Sequence, residues 1–305
     1  MSIPIQGPRR GIRYPVGAYD QKSAMLFLAP MMVVLSVVAV FPILYSFWIS
    51  LFDLKLTRPN RVPFVWFDNY GRIFQDSLFW ESVLRTTSFT VMSVAAIMLI
   101  ATLIALLLNE EFRGRRILSA ILLIPWAIPY VANGLMWKWI YDSGYGALNG
   151  LLLQLGLIDK YLVMLGDVDK TLLLITNSFV WKEVPLATIL LLVTLKSIRA
   201  DLYGAARVDG ANVWQRFIHI TLPALIPGFS LVMIYEVMMA IRHFDLFFIL
   251  TEGGPAEASH VLAWQVYVET FRKLAFGTGA ALAYVMAIVT FTLAFFIIRS
   301  TSRKL

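Results

Sequence analysis

Residues 196–223 read KSIRADLYGAARVDGANVWQRFIHITLP. With Lys196, Arg199, Asp201, Arg207, Asp209 and Arg216 in it, the stretch is too charged to lie in hydrocarbon. It is also too patterned for a plain linker. Asp201 is placed to cap a short helix over 202–208, because its carboxylate accepts from backbone N–H groups that a first turn leaves orphaned. Asp209-Gly210 then reads as a turn, since glycine accepts the left-handed backbone that closes a helix. A second short amphipathic helix is expected over 212–220, and Pro223 marks the start of the next apolar stretch. The result is a helix–turn–helix knob shaped to enter a groove on a partner. The bland alternative is an ordinary charged connector.

Composition says what the knob is attached to. Of 305 residues, 59% are apolar and 15% charged, and mean hydropathy is +0.73. Soluble domains carry about 25% charged residues, so too little polar side chain is present to coat this much apolar surface. Disorder is excluded by the same numbers. The class is an all-α integral membrane protein. A hydrocarbon core about 30 Å thick takes about 20 apolar residues as helix, and six stretches qualify: 24–51, 86–108, 117–141, 171–195, 224–250 and 275–298. The organisation is a tail at 1–23 followed by a six-helix membrane domain at 24–305. The first stretch is too long for the hydrophobic region of a signal peptide, about 7–15 residues, and no small-x-small site follows it.

Basic residues orient the spans. The segments 1–23, 109–116, 196–223 and the C-terminal tail carry 14 basic and 5 acidic residues, against 9 and 11 in 52–85, 142–170 and 251–274. The positive-inside rule therefore places the first set and both termini in the cytoplasm. The 147–157 stretch, ALNGLLLQLGL, is too short to span and reads as an interfacial or re-entrant helix on the outer side. Pro30, Pro42, Pro125, Pro129 and Pro185 fall inside spans, where each removes a backbone hydrogen bond and is expected to kink its helix.

Enzyme chemistry is disfavoured. No G-x-x-x-x-G-K-[ST] phosphate loop or H-E-x-x-H zinc motif occurs. Cysteine is absent, and His219, His243 and His260 are too scattered for a shared metal site. Gly253-Gly254-Pro255 is a turn signal. No Ser-His-Asp arrangement suggests itself, and the charge distribution suggests a membrane rather than nucleic acid.

At this point the run GAARVDGANVWQRFIHITLP resembles the EAA motif of inner-membrane permease subunits of ABC importers. Ala205, Ala206, Asp209, Gly210, Ala211, Phe217, Ile220, Leu222 and Pro223 match it, and Trp214 lies among them. The segments FPILYSFWISLFD (41–53), FDNYGRIF (67–74), IPWAIPYVANGLMWKWIY (124–141) and FDLFFILTEGGPAEAS (244–259) look like the carbohydrate branch, and the resemblance runs from Pro30 to Ala283. It implies a type I (MetI-like) permease core with one added N-terminal helix, in a bacterial inner membrane. It also implies a second, similar permease, two ATPase subunits that hold ATP and Mg, and an extracytoplasmic binding protein, with the solute a sugar or sugar derivative. The 204–223 run would be the coupling helix. Gly204 stands where the family has glutamate. That contact, if made, is a rim ion pair worth about 0–1 kcal/mol, so Gly204→Glu is expected to leave transport nearly unchanged.

Intramembrane charges mark a candidate solute path, because they are costly and tend to face a cavity or a partner. The candidates are Lys182, Glu183, Glu236, Arg242 and Asp245, with Asn133, Asn177 and Tyr235 adding groups suited to sugars. One reading is structural: Lys182 pairs with Glu236, and Arg242 with Asp245 three residues on. The other is that Lys182 or Arg242 meets an anionic group, such as a phosphate or sulfonate, on the solute. The rival function is a stand-alone secondary transporter, a class that usually shows two related halves; no repeat is visible here.

Overall fold

The computed structural model describes residues 21–302, with side chains described from 25 to 299. Most of the expected tail at 1–23 lies outside the described residues. The chain divides into two compact units, 1–48 and 49–305. Helix α1, Met25–Ser50, has all but its last two residues in the first unit. Its apolar side chains are exposed, Phe27 at 84% and Val38 at 70%, as suits a helix that faces lipid or another subunit. A π turn at Ser36–Val40 precedes Pro42, which has no N–H to donate.

The second unit is helical, with only isolated bridges among its described residues, Phe52 with Phe64 and Lys55 with Ala275. Its elements are α2 (Asp68–Gln75), α3 (Ser77–Asn109), α4 (Arg115–Ala127), α5 (Tyr130–Ile140) and α6 (Ala147–Gln154). Then follow α7 (Val168–Lys196), α8 (Ala200–Val208), α9 (Val213–Ile241), α10 (Asp245–Leu250), α11 (Leu262–Tyr267) and α12 (Phe276–Ser302). Helices α3 and α7 form the central pair, and α9 packs against both and against α12. On α3, Ile97, Ala101, Ala105 and Leu108 recur at helical spacing and are fully buried with Ile175, Ala187 and Leu191 of α7. The small alanines let the backbones approach, which is how membrane helices gain contact without a hydrophobic drive. Gly228 of α9 does the same against Thr194 of α7: a Cβ there would lie 2.5 Å from the threonine Oγ1.

Five described helices are long and apolar enough to span, and six if one bent pair counts as a span. That pair is α4 and α5, which meet at 95°. So the expected third span, 117–141, is two half-helices. Ile128 precedes Pro129, and a residue before proline is pushed to extended backbone; its φ and ψ are −74° and 129°. Pro129 also cannot donate to the carbonyl of Pro125, which accepts from Ile128 N at 3.2 Å instead. Pro185, by contrast, sits inside an unbroken α7, buried along with Glu183, Val184, Ala187 and Thr188 while Leu186 is half-buried.

Three boundaries also move. Helix α3 begins at Ser77, not Thr86, because Asp76 caps it by accepting from Leu78 N at 3.0 Å. At 33 residues it is about 50 Å long and outreaches the hydrocarbon. Helix α9 begins at Val213 and ends at Ile241, so the expected fifth span, 224–250, stops short and α10 is separate. The 147–157 stretch is helical over Ala147–Gln154.

Candidate functional site: the loop knob and the intramembrane polar cluster

The 196–223 loop folds as a knob whose turn is fixed from both sides. Helix α8 closes with Gly210 at φ +77°. Ala211 N donates to Ala206 O at 2.8 Å and Gly210 N to Arg207 O at 3.1 Å, the paired bonds of a Schellman motif. The next helix opens with a capping box: Gln215 N donates to Asn212 Oδ1, and Asn212 N to Gln215 Oε1, both at 2.8 Å. Tyr203 and Thr221 share a hydroxyl bond of 2.8 Å that fastens α8 to α9. Val208, Val213 and Trp214 stand out of the knob, 89%, 73% and 67% exposed, and Trp214 stacks on Phe217. Gly204, Ala205 and Asp209 are exposed, Ala206 and Ala211 half-buried, and Leu222 and Pro223 are exposed.

Two local expectations are corrected. Arg199, not Asp201, occupies the N-cap position of α8; Asp201 lies in the first turn and pairs with Arg199 at 3.2 Å in the open. The second knob helix, expected over 212–220, does not end at Ile220. It passes through a π turn at Phe217–Thr221 and continues as α9 to Ile241. The widened turn sits just before Pro223, which falls in the first turn of the next regular stretch, where a missing N–H costs little.

The second cluster lies where α4, α5, α7 and α9 meet. Lys182 Nζ donates to Trp126 O at 2.8 Å, the carbonyl end of half-helix α4. It also lies 4.5 Å over the Tyr130 ring. Tyr130 opens half-helix α5 and donates its hydroxyl to Glu183. Two neighbours on α7 thus clamp both ends of the elbow, a cation at a helix C-terminus being the favourable sign. Glu236 is fully buried with both oxygens unpartnered among the described residues, in electrostatic reach of Glu183 and Tyr130. Tyr235 shares that field. His243 is buried among Tyr130, Phe179 and Phe89 rings.

Asn133 donates to Ser178 O at 3.3 Å and Asn177 to Tyr141 Oη at 2.9 Å, and Asn177 borders a hollow of about 710 Å³. The expected pairs do not form. Lys182 takes a carbonyl rather than Glu236. Arg242 is exposed at the end of α9 and donates to Met239 Sδ at 3.2 Å, while Asp245 starts α10 after the break. The helix stops between them, so the three-residue spacing no longer puts them on one face. Sequence reasoning missed Tyr130 and the Trp126 carbonyl; the two prolines around them were the available signal.

A family model described as the binding-protein-dependent transport system inner membrane component matches residues 97–302. The chain belongs to this family. It is a transport permease of the inner membrane, not an enzyme. The permease is 34% identical over 279 residues to the trehalose/maltose transport system permease protein MalF of Thermococcus litoralis, covering 90% of this chain and 93% of that one. It is 33% identical to the sulfoquinovosyl glycerol transport system permease protein SmoG of Agrobacterium fabrum, covering 88% and 86%. Its fold matches a solved bacterial ABC transporter involved in import of the acidic polysaccharide alginate, with TM-score 0.80, 21% identity, and 93% and 96% of the two chains covered.

Proposed function

We propose that this permease forms half of the translocation path of an ATP-driven, binding-protein-dependent importer of a sugar or sugar derivative. The 196–223 knob is its contact with an ATPase subunit, which holds the ATP and Mg; this chain carries no cofactor of its own. The observation that carries the reading is the continuity of α9. A turn locked by a Schellman motif and a capping box opens onto one helix that runs from Val213 to Ile241 and brings Glu236 into the intramembrane cluster. Motion imposed on the exposed Val208, Val213 and Trp214 is thereby transmitted along about 40 Å of helix. A second permease supplies the other half of the path, two ATPases sit below, and a binding protein docks above; the basic asymmetry supports a cytoplasmic position for both termini.

The sugar class rests on the likeness to MalF and SmoG. An anionic sugar derivative is favoured by Arg242, whose guanidinium is exposed and makes no ion pair among the described residues. The test is gentle purification of the tagged chain with mass spectrometry of what accompanies it, then uptake by Arg242→Gln. Recovery of a second permease and an ATPase is expected, with anionic-sugar uptake lost in an intact Arg242→Gln complex. A chain that emerges alone or as a homo-oligomer, at every detergent strength, refutes the coupling reading and restores the secondary transporter. Loss of assembly in the variant makes Arg242 structural.

A further inference from the structure

A notch between the start of α4 and the end of α7 is lined by Arg115, Arg116, Ser119, Leu192 and Lys196, enclosing about 430 Å³. Three cations and no carboxylate face it. None of the three makes an ion pair among the described residues, whose pairs all lie elsewhere. An adjoining hollow of about 500 Å³ shares both arginines and brings in one carboxylate, Glu111, which pairs with neither. Helix α4 opens at Gly114, φ +91°, with no side-chain cap; Arg115 N donates to Phe112 O at 3.4 Å, which leaves the amides of Arg116 and Ile117 in the first turn open to an anion.

The same helix shows a second chemistry. Ile117, Leu118 and Ile121 of α4 are 68%, 40% and 55% exposed, and Val193 of α7 is 64% exposed. In an inner-membrane permease these side chains meet acyl chains. A cationic notch beside such a stripe, at the charged edge of two apolar helices, has the layout of a headgroup seat with its chains laid alongside. A free phosphate uses only the notch, and an acidic protein surface has no use for the stripe.

We propose that this notch seats the phosphate of an anionic phospholipid, held by Arg115, Arg116 and Lys196. The seat ties the elbow's first half-helix to α7 through the lipid. It needs only the membrane: Lys196 is the first residue of the 196–223 segment, and the protruding Val208, Val213 and Trp214 through which the ATPase contact is proposed lie farther along it.

The test uses the assembled importer reconstituted in phosphatidylcholine with spin-labelled phosphatidylglycerol as the probe. Wild type is expected to hold the probe in preference to labelled phosphatidylcholine. Each interfacial cation is worth about a factor of five, so Arg116→Gln lowers that preference about fivefold and Arg115→Gln/Arg116→Gln about twenty-five-fold, with ATPase still co-purifying. Inorganic phosphate leaves the wild-type preference intact. Displacement by phosphate would make this a free-anion site and overturn the proposal. Unchanged lipid preference with loss of the ATPase would assign the arginines to a protein contact instead. Should the double variant fail to assemble, the exposed Arg116→Gln decides alone.

Discussion

Lys182→Met tests the clamp on the α4–α5 elbow. Methionine keeps most of the volume and removes the charge. Two contacts go: the 2.8 Å bond to Trp126 O and the 4.5 Å approach to the Tyr130 ring. A hydrogen bond from a charged donor contributes about 1.5–3 kcal/mol net, and a partly desolvated cation–π contact about 0.5–2. Against this, the variant no longer buries an ammonium, whose desolvation costs several kcal/mol. That relief is incomplete because Glu183, 1% exposed, stays behind with Tyr130 as its one hydrogen-bond partner among the described residues, and the Trp126 carbonyl is left without a donor in hydrocarbon. The net expectation is a loss of about 2 kcal/mol localised at the elbow. Every 1.4 kcal/mol is tenfold, so hydrogen exchange over 133–136, where the first bonded amide of α5 is Asn133 N to Pro129 O, should quicken about thirtyfold, while α3 and the second half of α7 are unaffected. Tyr130→Phe in the same background should add less than it does alone, since the two share a contact. Exchange that stays unchanged or slows at 133–136 would refute the argument, showing that the buried ammonium costs more than its contacts return.

Three further predictions follow from single sites. Gly228→Ala forces a Cβ to 2.5 Å from Thr194 Oγ1 and 3.0 Å from its Cβ, and that threonine is held by its bond to Leu190 O, so thermal unfolding should show a loss of about 1–3 kcal/mol that Thr194→Ala largely restores; a silent Gly228→Ala contradicts the close approach. Gly210→Val meets no neighbour within 4 Å, so its effect is backbone strain alone, about 1–2 kcal/mol at φ +77°. ATP-driven uptake should fall with insertion intact, and Gly210→Asn should be milder; full uptake by the valine variant would deny the turn its role. His260 is buried with both ring nitrogens unpartnered among the described residues, and burial holds its pKa below the ordinary value, helped by Arg85 and Lys273 and opposed by Glu257 and Glu269. The unfolded chain therefore takes up a proton below about pH 6.5 that the folded chain refuses, so stability present above that pH drains as pH falls. The unfolding temperature should drop between pH 7 and 5.5, and His260→Gln should flatten the drop; an unaltered slope would exonerate His260.

What could be read from the sequence, and what could not, divides along a physical line. Hydropathy located the spans because a bilayer demands a fixed run of apolar residues whatever the packing. The knob was legible because Gly210 and Asn212 act locally: a left-handed turn and an N-cap are decided within five residues. Helix ends escaped where a cap lies outside the apolar run, as Asp76 does for α3. The charges escaped for a different reason. Lys182 was expected to seek a carboxylate, which is the rule when backbone carbonyls are all used by their own helix. Here the two prolines break the span, free the Trp126 carbonyl and put it within reach. The broken helix thus changes what a buried cation wants, and only the three-dimensional approach of α7 to the elbow reveals it. With Lys182 drawn to that carbonyl, Glu236 is a buried carboxyl group with no hydrogen-bond partner among the described residues. Under the coupling proposed above, α9 is the element that joins the knob to the polar cluster, since the one helix runs from Val213 of the knob to Ile241 and carries Glu236 beside the elbow.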